Sequence, residues 1–403
     1  MSHILVLSRQ KGQVDRRILA ELNTLSASGR SVTFVSVPAL IPAGSLSERV
    51  RVIMPPVQQA TSALATRLKR LAAAFPVAFE DLLKIAWHCL HLSSLPNFFL
   101  QMTPTEAFDA IHCHDLDTLP AGVLLRQRLA PHAKIIYDSH ELFPFQYKCG
   151  DKRQRDWSQI ERTHIHEASL VVTVNTTIAQ ELSRLYGITK PEVIYNSYGA
   201  YRSSTTLTEQ EFLRHFTAPA GGFRVIFPGA FIWDKNLANL VRAFQYLPDT
   251  LQLFLLGTGP AATKLQTLAR KLRLSNVFFG SWVPQEHLLQ YLAHAHLGII
   301  PYTGGTLLNN LYCTPNKLFE FIEVEIPVCA SDLPELRRIV VGHGIGDVYP
   351  MEDPKAIAHA LQTCHARCLR GEFTVEARRA ARALFAWDKQ GEKLLTLYQR
   401  IGV

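Results

Sequence analysis

Two runs of alternation dominate the chain. Short β-rich segments and helix-patterned segments follow one another from residue 3 to residue 197, stop, and start again at residue 223. In the first run HILVLS (3–8) precedes the helical DRRILAELNTLSASG and then SVTFVSV (31–37). AIHCHD (110–115), a helix to about residue 129, KIIYDSH (134–140), LVVTVN (170–175), a helix and EVIYNS (192–197) follow. The second run holds FRVIFPG (223–229), LQLFLLG (251–257), VFFG (277–280), LGIIPY (297–302) and IPVCAS (326–331), with helices between the strands and helices to the end. Strands spaced by crossover helices predict parallel sheets. The expected architecture is therefore two doubly wound, Rossmann-like α/β domains, at 1–198 and 223–384, joined by a polar, glycine-rich linker at 199–222. Ligands of such sheets sit beyond the carboxyl ends of the strands, so the cleft facing both sheets is the expected site.

At 403 residues the chain is too long for one ordinary core, and 47% hydrophobic with 19% charged residues is a globular composition. A formal charge of +8 suits a phosphate-bearing partner. The basic residues are dispersed, without the aromatic-basic motifs of nucleic-acid modules, so no nucleic-acid partner is expected. Seven scattered cysteines read as reduced thiols of a cytoplasmic protein. Cys364 and Cys368 stand at helical spacing, a poor metal site by themselves. The apolar run in MSHILVLSRQKG is too short for a signal peptide and reads as a first strand. No stretch approaches the roughly 20 apolar residues of a membrane span.

Four strand ends in the second run carry residues able to do chemistry. FPGAFIWDKN places Gly229 at a strand end and Lys235 before the next helix, where a cation can face a phosphate. LLGTGP supplies Gly257 and Gly259, which would let a ligand approach the backbone. FFGSWVP has the same form, with Gly280 and Trp282. TPNKLFEF offers a helix start with Thr314 as cap and Pro315 in the first helical position. Glu320 lies four residues after Asn316 and three after Lys317, so the three can share one side of that helix.

The order and spacing of these four segments resemble the donor half of nucleotide-sugar glycosyltransferases of family four, which have the two-domain B-type fold. The resemblance covers the second half and extends into the first, through VDRRILAELNTLSASGRSVTFVSV, DAIHCHDLDTLPAGVLL and KIIYDSHELFPFQ. The tail FAWDKQGEKLLTLYQRI, from about residue 385, looks like the family's last helix, which crosses back to the first domain. The resemblance implies a metal-independent hexosyltransferase that retains anomeric configuration. Its donor would be a nucleotide diphosphate sugar and its acceptor a glycan or lipid-linked glycan of surface polysaccharide, lipopolysaccharide or capsule, met at the inner face of the cell membrane. It further implies that Glu320 accepts hydrogen bonds from the ribose hydroxyls. Backbone N–H groups of Asn316 and Lys317 hold the distal phosphate, Lys235 neutralises the diphosphate, and His140 faces the transferred sugar. Gly12 and Asp15 lie where the first loop approaches phosphate or acceptor; Asp15 is equally placed to cap the helix beginning RRILAEL.

This chain departs from the family pattern. Members often carry a second glutamate eight positions before the first; here that position is Tyr312, and Asn309 or Tyr312 is the expected substitute. The arginine that usually follows the first glycine is Ala230, which leaves Lys235 as the main phosphate cation, with Arg9 or Lys11 as helpers. The usual glycine before IPV is Glu325.

Competing readings attach to other residues. Asp115 and Asp117 form a D-x-D like the metal-holding motif of the other glycosyltransferase fold, but that fold has no place for the second domain. His112 and His114 point the same way along a strand and, without further nearby ligands, make a weak zinc site. A nucleotide-sugar epimerase of the same architecture would need a carboxylate pair around the sugar, and none is evident. A non-catalytic sensor of nucleotide sugars would fit the missing glutamate and Ala230. Residues 64–103 are apolar at helical spacing behind Arg67, Lys69 and Arg70. They read as an insertion packed on the first domain or as an interfacial helix in peripheral contact with an anionic membrane.

Overall fold

A computed structural model describes residues 2–10, 12–55, 94–197, 206–232, 235–305 and 307–403. The chain divides into two compact units, Met1–Tyr195 with Gln390–Val403, and Asn196–Lys389.

The first unit is built on β1 (His3–Ser8), α1 (Arg16–Ala27), β2 (Ser31–Ser36), β3 (Val50–Ile53), β4 (Ala110–His114), α2 (Leu119–Arg128), β5 (Lys134–Ser139), α3 (Lys152–His164), β6 (Leu170–Thr173), α4 (Thr176–Tyr186) and β7 (Glu192–Val193). The seven strands of its main sheet run in the order β3-β2-β1-β4-β5-β6-β7 and pair in parallel. Ile4, Leu5, Val6 and Leu7 are all buried, so both faces of β1 are covered. That explains a continuous apolar run where a half-exposed strand would alternate. The chain reverses its direction of travel through the sheet between β1 and β4, the place where doubly wound sheets present their strand ends to ligands.

The second unit begins earlier than the alternation predicts. The expected linker holds α5 (Glu209–Phe216), started by a Thr208–Glu211 capping box. Phe212 and Phe216 bury their rings 5.1 and 5.0 Å from Phe254. Polar residues on the outer face of α5 mask this apolar pair in a composition reading. After α5 come β8 (Phe223–Pro228), α6 (Leu237–Ala243), β9 (Leu251–Leu256), α7 (Ala262–Lys271), β10 (Val277–Gly280), α8 (Gln285–Leu292), β11 (Leu297–Ile300), α9 (Leu308–Tyr312), α10 (Asn316–Glu323), β12 (Val328–Ser331), β13 (Gly346–Tyr349), α11 (Pro354–Leu369), α12 (Val375–Phe385) and α13 (Trp387–Arg400). The six-stranded sheet, again parallel, has the order β10-β9-β8-β11-β12-β13. The last strand, β13, replaces part of the uninterrupted helical tail expected after residue 331.

One contact fixes the helix of greatest interest. A Cβ at Gly298 on β11 would lie 2.5 Å from the Phe321 ring of α10. Only glycine lets that ring press on the strand, and this sets the depth at which α10 sits.

The final segment belongs to the first unit. Arg400 pairs with Glu192 at 2.8 Å, Arg30 donates to the Val403 carbonyl at 2.9 Å, and Tyr398 is buried against His112. Among the described residues no helix is long and apolar enough to cross a membrane. The membrane reading of Arg67, Lys69 and Arg70, and the helper role of Lys11, lie outside the described residues.

Candidate functional site

In the second unit the chemistry gathers where β8, β11 and α10 meet. Thr314 does not cap α10. The helix begins one residue later than expected, with Pro315 as N-cap in extended conformation and Asn316 as the first helical residue. Extended backbone at Pro315 (ψ 139°) moves the start past Thr314. Pro315 offers no side-chain acceptor to the first turn. Asn316 is exposed and its Oδ1 accepts a hydrogen bond from Asn196 at 2.9 Å.

Lys317 and Glu320 are 8% and 7% exposed, an unusual depth for two ionisable side chains one turn apart. Lys317 donates to the Tyr302 hydroxyl. Its Nζ lies 4.6 Å from the centroids of both the Tyr302 and Phe227 rings. Lys235 Nζ stands 4.3 Å from the same Tyr302 ring, so two ammonium groups converge on one phenol. Burial pushes the Lys317 ammonium down to about 8; the Glu320 carboxylate works against that and Lys235 adds to it. Two cations face one carboxylate here, a local excess of positive charge that an incoming anion would offset. The side chain of Lys317 was not expected to contribute, since the sequence resemblance used only its backbone. Tyr302, at the end of LGIIPY, carries no motif that would mark it in the sequence.

Gly229 borders this group: a Cβ there would sit 3.8 Å from Lys317 Nζ. Gly257 and Gly259 are required by packing, whatever approaches their backbone. A Cβ on Gly257 would lie 2.0 Å from the Gly229 carbonyl oxygen, and one on Gly259 2.6 Å from that of Phe231. Phe231 N–H donates to Thr258 at 2.8 Å, and Ala261 N–H donates to Phe231 at 2.9 Å. The space that side chains would need is filled by protein backbone, so these two glycines let the loop after β9 dock on the loop after β8. Asn309 is buried and Tyr312 half-buried on α9. Trp282 is 60% exposed on the loop after β10. Ala230 is exposed. Glu325 adopts the left-handed conformation (φ 57°) that the family's glycine would take freely; Arg382 at 3.0 Å and Arg379 at 3.6 Å pair with its carboxylate.

In the first unit the ends of β4 and β5 and one face of α1 enclose a buried ionic cluster. Arg17 is fully buried and grips Asp138 with Nε at 2.9 Å and Nη2 at 2.8 Å, while Nη1 donates to the Ile194 carbonyl. Glu21, one turn along α1, places Oε1 3.0 Å from Arg17 Nε. His140 Nε2 lies 3.2 Å from Asp138 Oδ2 and 3.1 Å from His114 Nδ1, and its backbone N–H donates to Asp115 at 3.2 Å. Burial opposes charge on His140, but Asp115 and then Asp138 outweigh it and raise the imidazole to about 10. His140 is therefore a cation and a hydrogen-bond donor at neutral pH. Burial is the main cause that raises the Asp115 carboxyl to about 7.

The D-x-D carboxylates are engaged separately, Asp117 with Arg9 at 3.0 Å and Asp115 with His140. Arg9 is thus committed to an acidic partner. Asp15 caps α1, accepting from Arg17 N–H at 2.7 Å, and Gly12 belongs to a two-residue strand paired with Ala39. His112 and His114 do have further potential ligands nearby, contrary to the expectation from sequence: Glu21 and Asp138 each bring an oxygen within 4.8 Å of the histidine nitrogens. Only the fold brings Glu21 of α1 to them; the i, i+4 pairing of Arg17 and Glu21 was the single local hint. The described cysteines, Cys113, Cys149, Cys313, Cys329, Cys364 and Cys368, are free thiols.

Comparison with known proteins agrees with this division. The family model described as Glycosyltransferase Family 4 matches residues 25–198, and the model described as Glycosyl transferases group 1 matches residues 222–367. The Bacillus subtilis (strain 168) glycosyltransferase TuaC, assigned to teichuronic acid biosynthesis, is 21% identical over 239 residues, 59% of this chain and 57% of that protein. The chain thus matches little more than half the length of this curated relative. Sucrose-phosphate synthase from Thermosynechococcus elongatus has the same fold with a TM-score of 0.71 at 19% identity, covering 100% of this chain and 99% of that one. Anabaena HepE, solved in complex with UDP, superposes with a TM-score of 0.66 at 13% identity, covering 99% of this chain and 100% of its own. These likenesses carry the two-domain B-type architecture.

Proposed function

Because this chain belongs to the glycosyltransferases of family four, we propose that it moves a sugar from a nucleotide diphosphate sugar to a glycan or lipid-linked acceptor. Anomeric configuration is retained and no catalytic metal is required. The observation that carries this reading is the convergence of Lys235 and Lys317 on Tyr302, beside Gly229 and Glu320. A departing nucleoside diphosphate bears charge, and fixed cations with the first N–H groups of a helix stabilise it without reorganising. Two ammonium groups supply what Ala230 cannot. Glu320, held at the same helix, takes the ribose hydroxyls.

His140 donates a hydrogen bond to the transferred sugar. As an imidazolium it cannot accept the acceptor's proton, and that role falls to the departing phosphate. The solved UDP complex of HepE makes uridine donors the first to try, and the name of TuaC supports a task in surface-polysaccharide assembly.

The test is a thermal-shift screen against UDP-, GDP-, ADP- and dTDP-sugars, followed by calorimetry on the hit and by NMR of the product anomer. A selective donor that raises the melting point and a product with the donor's anomeric configuration support the proposal. No binding to any nucleoside diphosphate refutes it. Binding without turnover on a true acceptor would favour the non-catalytic sensor.

A further inference from the structure

We propose that Glu21, His112 and His114 bind one divalent transition-metal ion, zinc or iron(II) by the nature of the donor set, inside the first unit. Both histidines lie on β4, two residues apart, so their rings leave the same face of the sheet and stack 4.4 Å apart. Both Nε2 atoms approach one carboxylate oxygen: Glu21 Oε2 lies 3.5 Å from His112 Nε2 and 3.9 Å from His114 Nε2. Neighbouring ligands of a tetrahedral zinc ion with bonds of about 2.0–2.1 Å stand about 3.3–3.4 Å apart. The His112 contact is near that spacing and the His114 contact is about half an ångström longer, so binding an ion would draw the His114 ring in.

The hydrogen bonding around them points the same way. Glu21 Oε2, His112 Nε2 and His114 Nε2 are buried and make no hydrogen bond, although every one of these residues is 1% exposed or less. A buried polar atom left in this state costs free energy unless something satisfies it, and here three such atoms share one centre. The opposite ring nitrogens, in contrast, are engaged. His112 Nδ1 lies 2.7 Å from the Tyr398 hydroxyl, and His114 Nδ1 lies 3.3 Å from Asp138 Oδ2. His140 Nε2, 3.1 Å from His114 Nδ1, also faces Asp138 Oδ2 at 3.2 Å. With both N–H groups donating to that oxygen, and His112 Nδ1–H to Tyr398, the Nε2 atoms of His112 and His114 keep their lone pairs for a metal, the usual arrangement behind histidine ligands. Asp138 is itself fixed by Arg17, whose Nε also forms an ion pair at 3.0 Å, without hydrogen-bond geometry, with the other oxygen of Glu21. Asp138 and Tyr398 are positioning residues, and two imidazole nitrogens with one carboxylate oxygen make a donor set that zinc takes and that iron(II) also accepts. The ion would tie α1 to β4, and through Tyr398 to the last helix. It takes no part in the transfer of sugar.

The experiment uses the full chain, without a tag and never exposed to immobilised metal. Elemental analysis should find about one equivalent of zinc or a related ion per chain. After stripping with a chelator in mild denaturant and refolding, added zinc should raise the melting temperature and saturate at one equivalent. Cobalt(II) should give the visible absorption of a tetrahedral site. Glu21→Gln and His114→Gln, checked for folding by circular dichroism, should abolish both signals. The competing arrangement is a proton shared between Glu21 and the two imidazoles. It predicts metal-poor protein, no zinc-dependent rise in melting temperature and no cobalt spectrum, and that result overturns the proposal. Unchanged metal content in a folded His114→Gln protein overturns it as well. If neither variant folds, the wild-type zinc and cobalt titrations decide alone.

Discussion

Replacing Lys317 with methionine should make the protein more stable and bind its donor less well. The ammonium sits in a pocket of aromatic rings that brings it from 10.5 down to about 8. At 1.36 kcal/mol per pH unit, that gap is about 3 kcal/mol of unfavourable charge burial. Methionine has similar length and no charge, so it removes this cost. The lost hydrogen bond to Tyr302 returns about 1 kcal/mol, leaving a net gain of about 2 kcal/mol at pH 7. The sign with pH follows directly. Between about 8 and 10.5 the unfolded chain holds the lysine proton and the folded chain has released it, so wild-type stability rises with pH through that window relative to Lys317→Met. Urea titrations of both proteins from pH 7 to pH 10 read the difference. Calorimetry with a nucleoside diphosphate should show a loss of about 1.5–3 kcal/mol, roughly ten- to hundredfold, from one charge-assisted contact. Wild-type affinity should itself weaken above about pH 8 as Lys317 neutralises. A methionine variant less stable than wild type at pH 7, or with unchanged affinity, would refute the account of Lys317 as a phosphate cation held at a cost.

Other outcomes follow from the same geometry. Glu320→Ala should raise the donor KM about tenfold or more with a smaller change in kcat, because two hydroxyl hydrogen bonds to a carboxylate are lost; steady-state kinetics checks it. His140→Asn should lower kcat with little change in donor KM, which steady-state kinetics at saturating acceptor reads. Gly257→Ala should destabilise the second unit and weaken donor binding, because its methyl group would displace the loop at Gly229, and thermal denaturation with and without donor reads both. Glu325→Gly should be neutral to stabilising by about 1 kcal/mol, the relief of a left-handed glutamate exceeding two partly exposed ion pairs, as a denaturant midpoint would show.

The sheets were legible because parallel strands buried on both faces leave continuous apolar runs: HILVLS, LQLFLL and VFFG are strands at the expected residues. The strands that escaped notice, Val50–Ile53 and Gly346–Tyr349, are short edge strands carrying exposed or polar residues, so neither period stands out. The helix at Glu209–Phe216 hid for a related reason, its two buried phenylalanines outnumbered by polar neighbours. Glu320 and Lys317 could be placed on one helix from spacing alone. Their meeting with Tyr302 and Lys235 could not, because it depends on how β8 and β11 lie side by side. The same holds for Glu21, which is 91 positions from His112 and reaches it only once α1 has packed on the sheet.

The contact between Tyr398 and His112 has a consequence for biosynthesis. A chain emerging from the ribosome exposes β4 long before the residue that covers it exists, since Gln390–Val403 follow Tyr195 by nearly two hundred positions. At about 5–20 residues per second the wait is roughly 10 to 40 seconds. During that interval the nascent first unit must carry an open seam over its buried ionic cluster, so of the two units it is the one begun earlier and finished later.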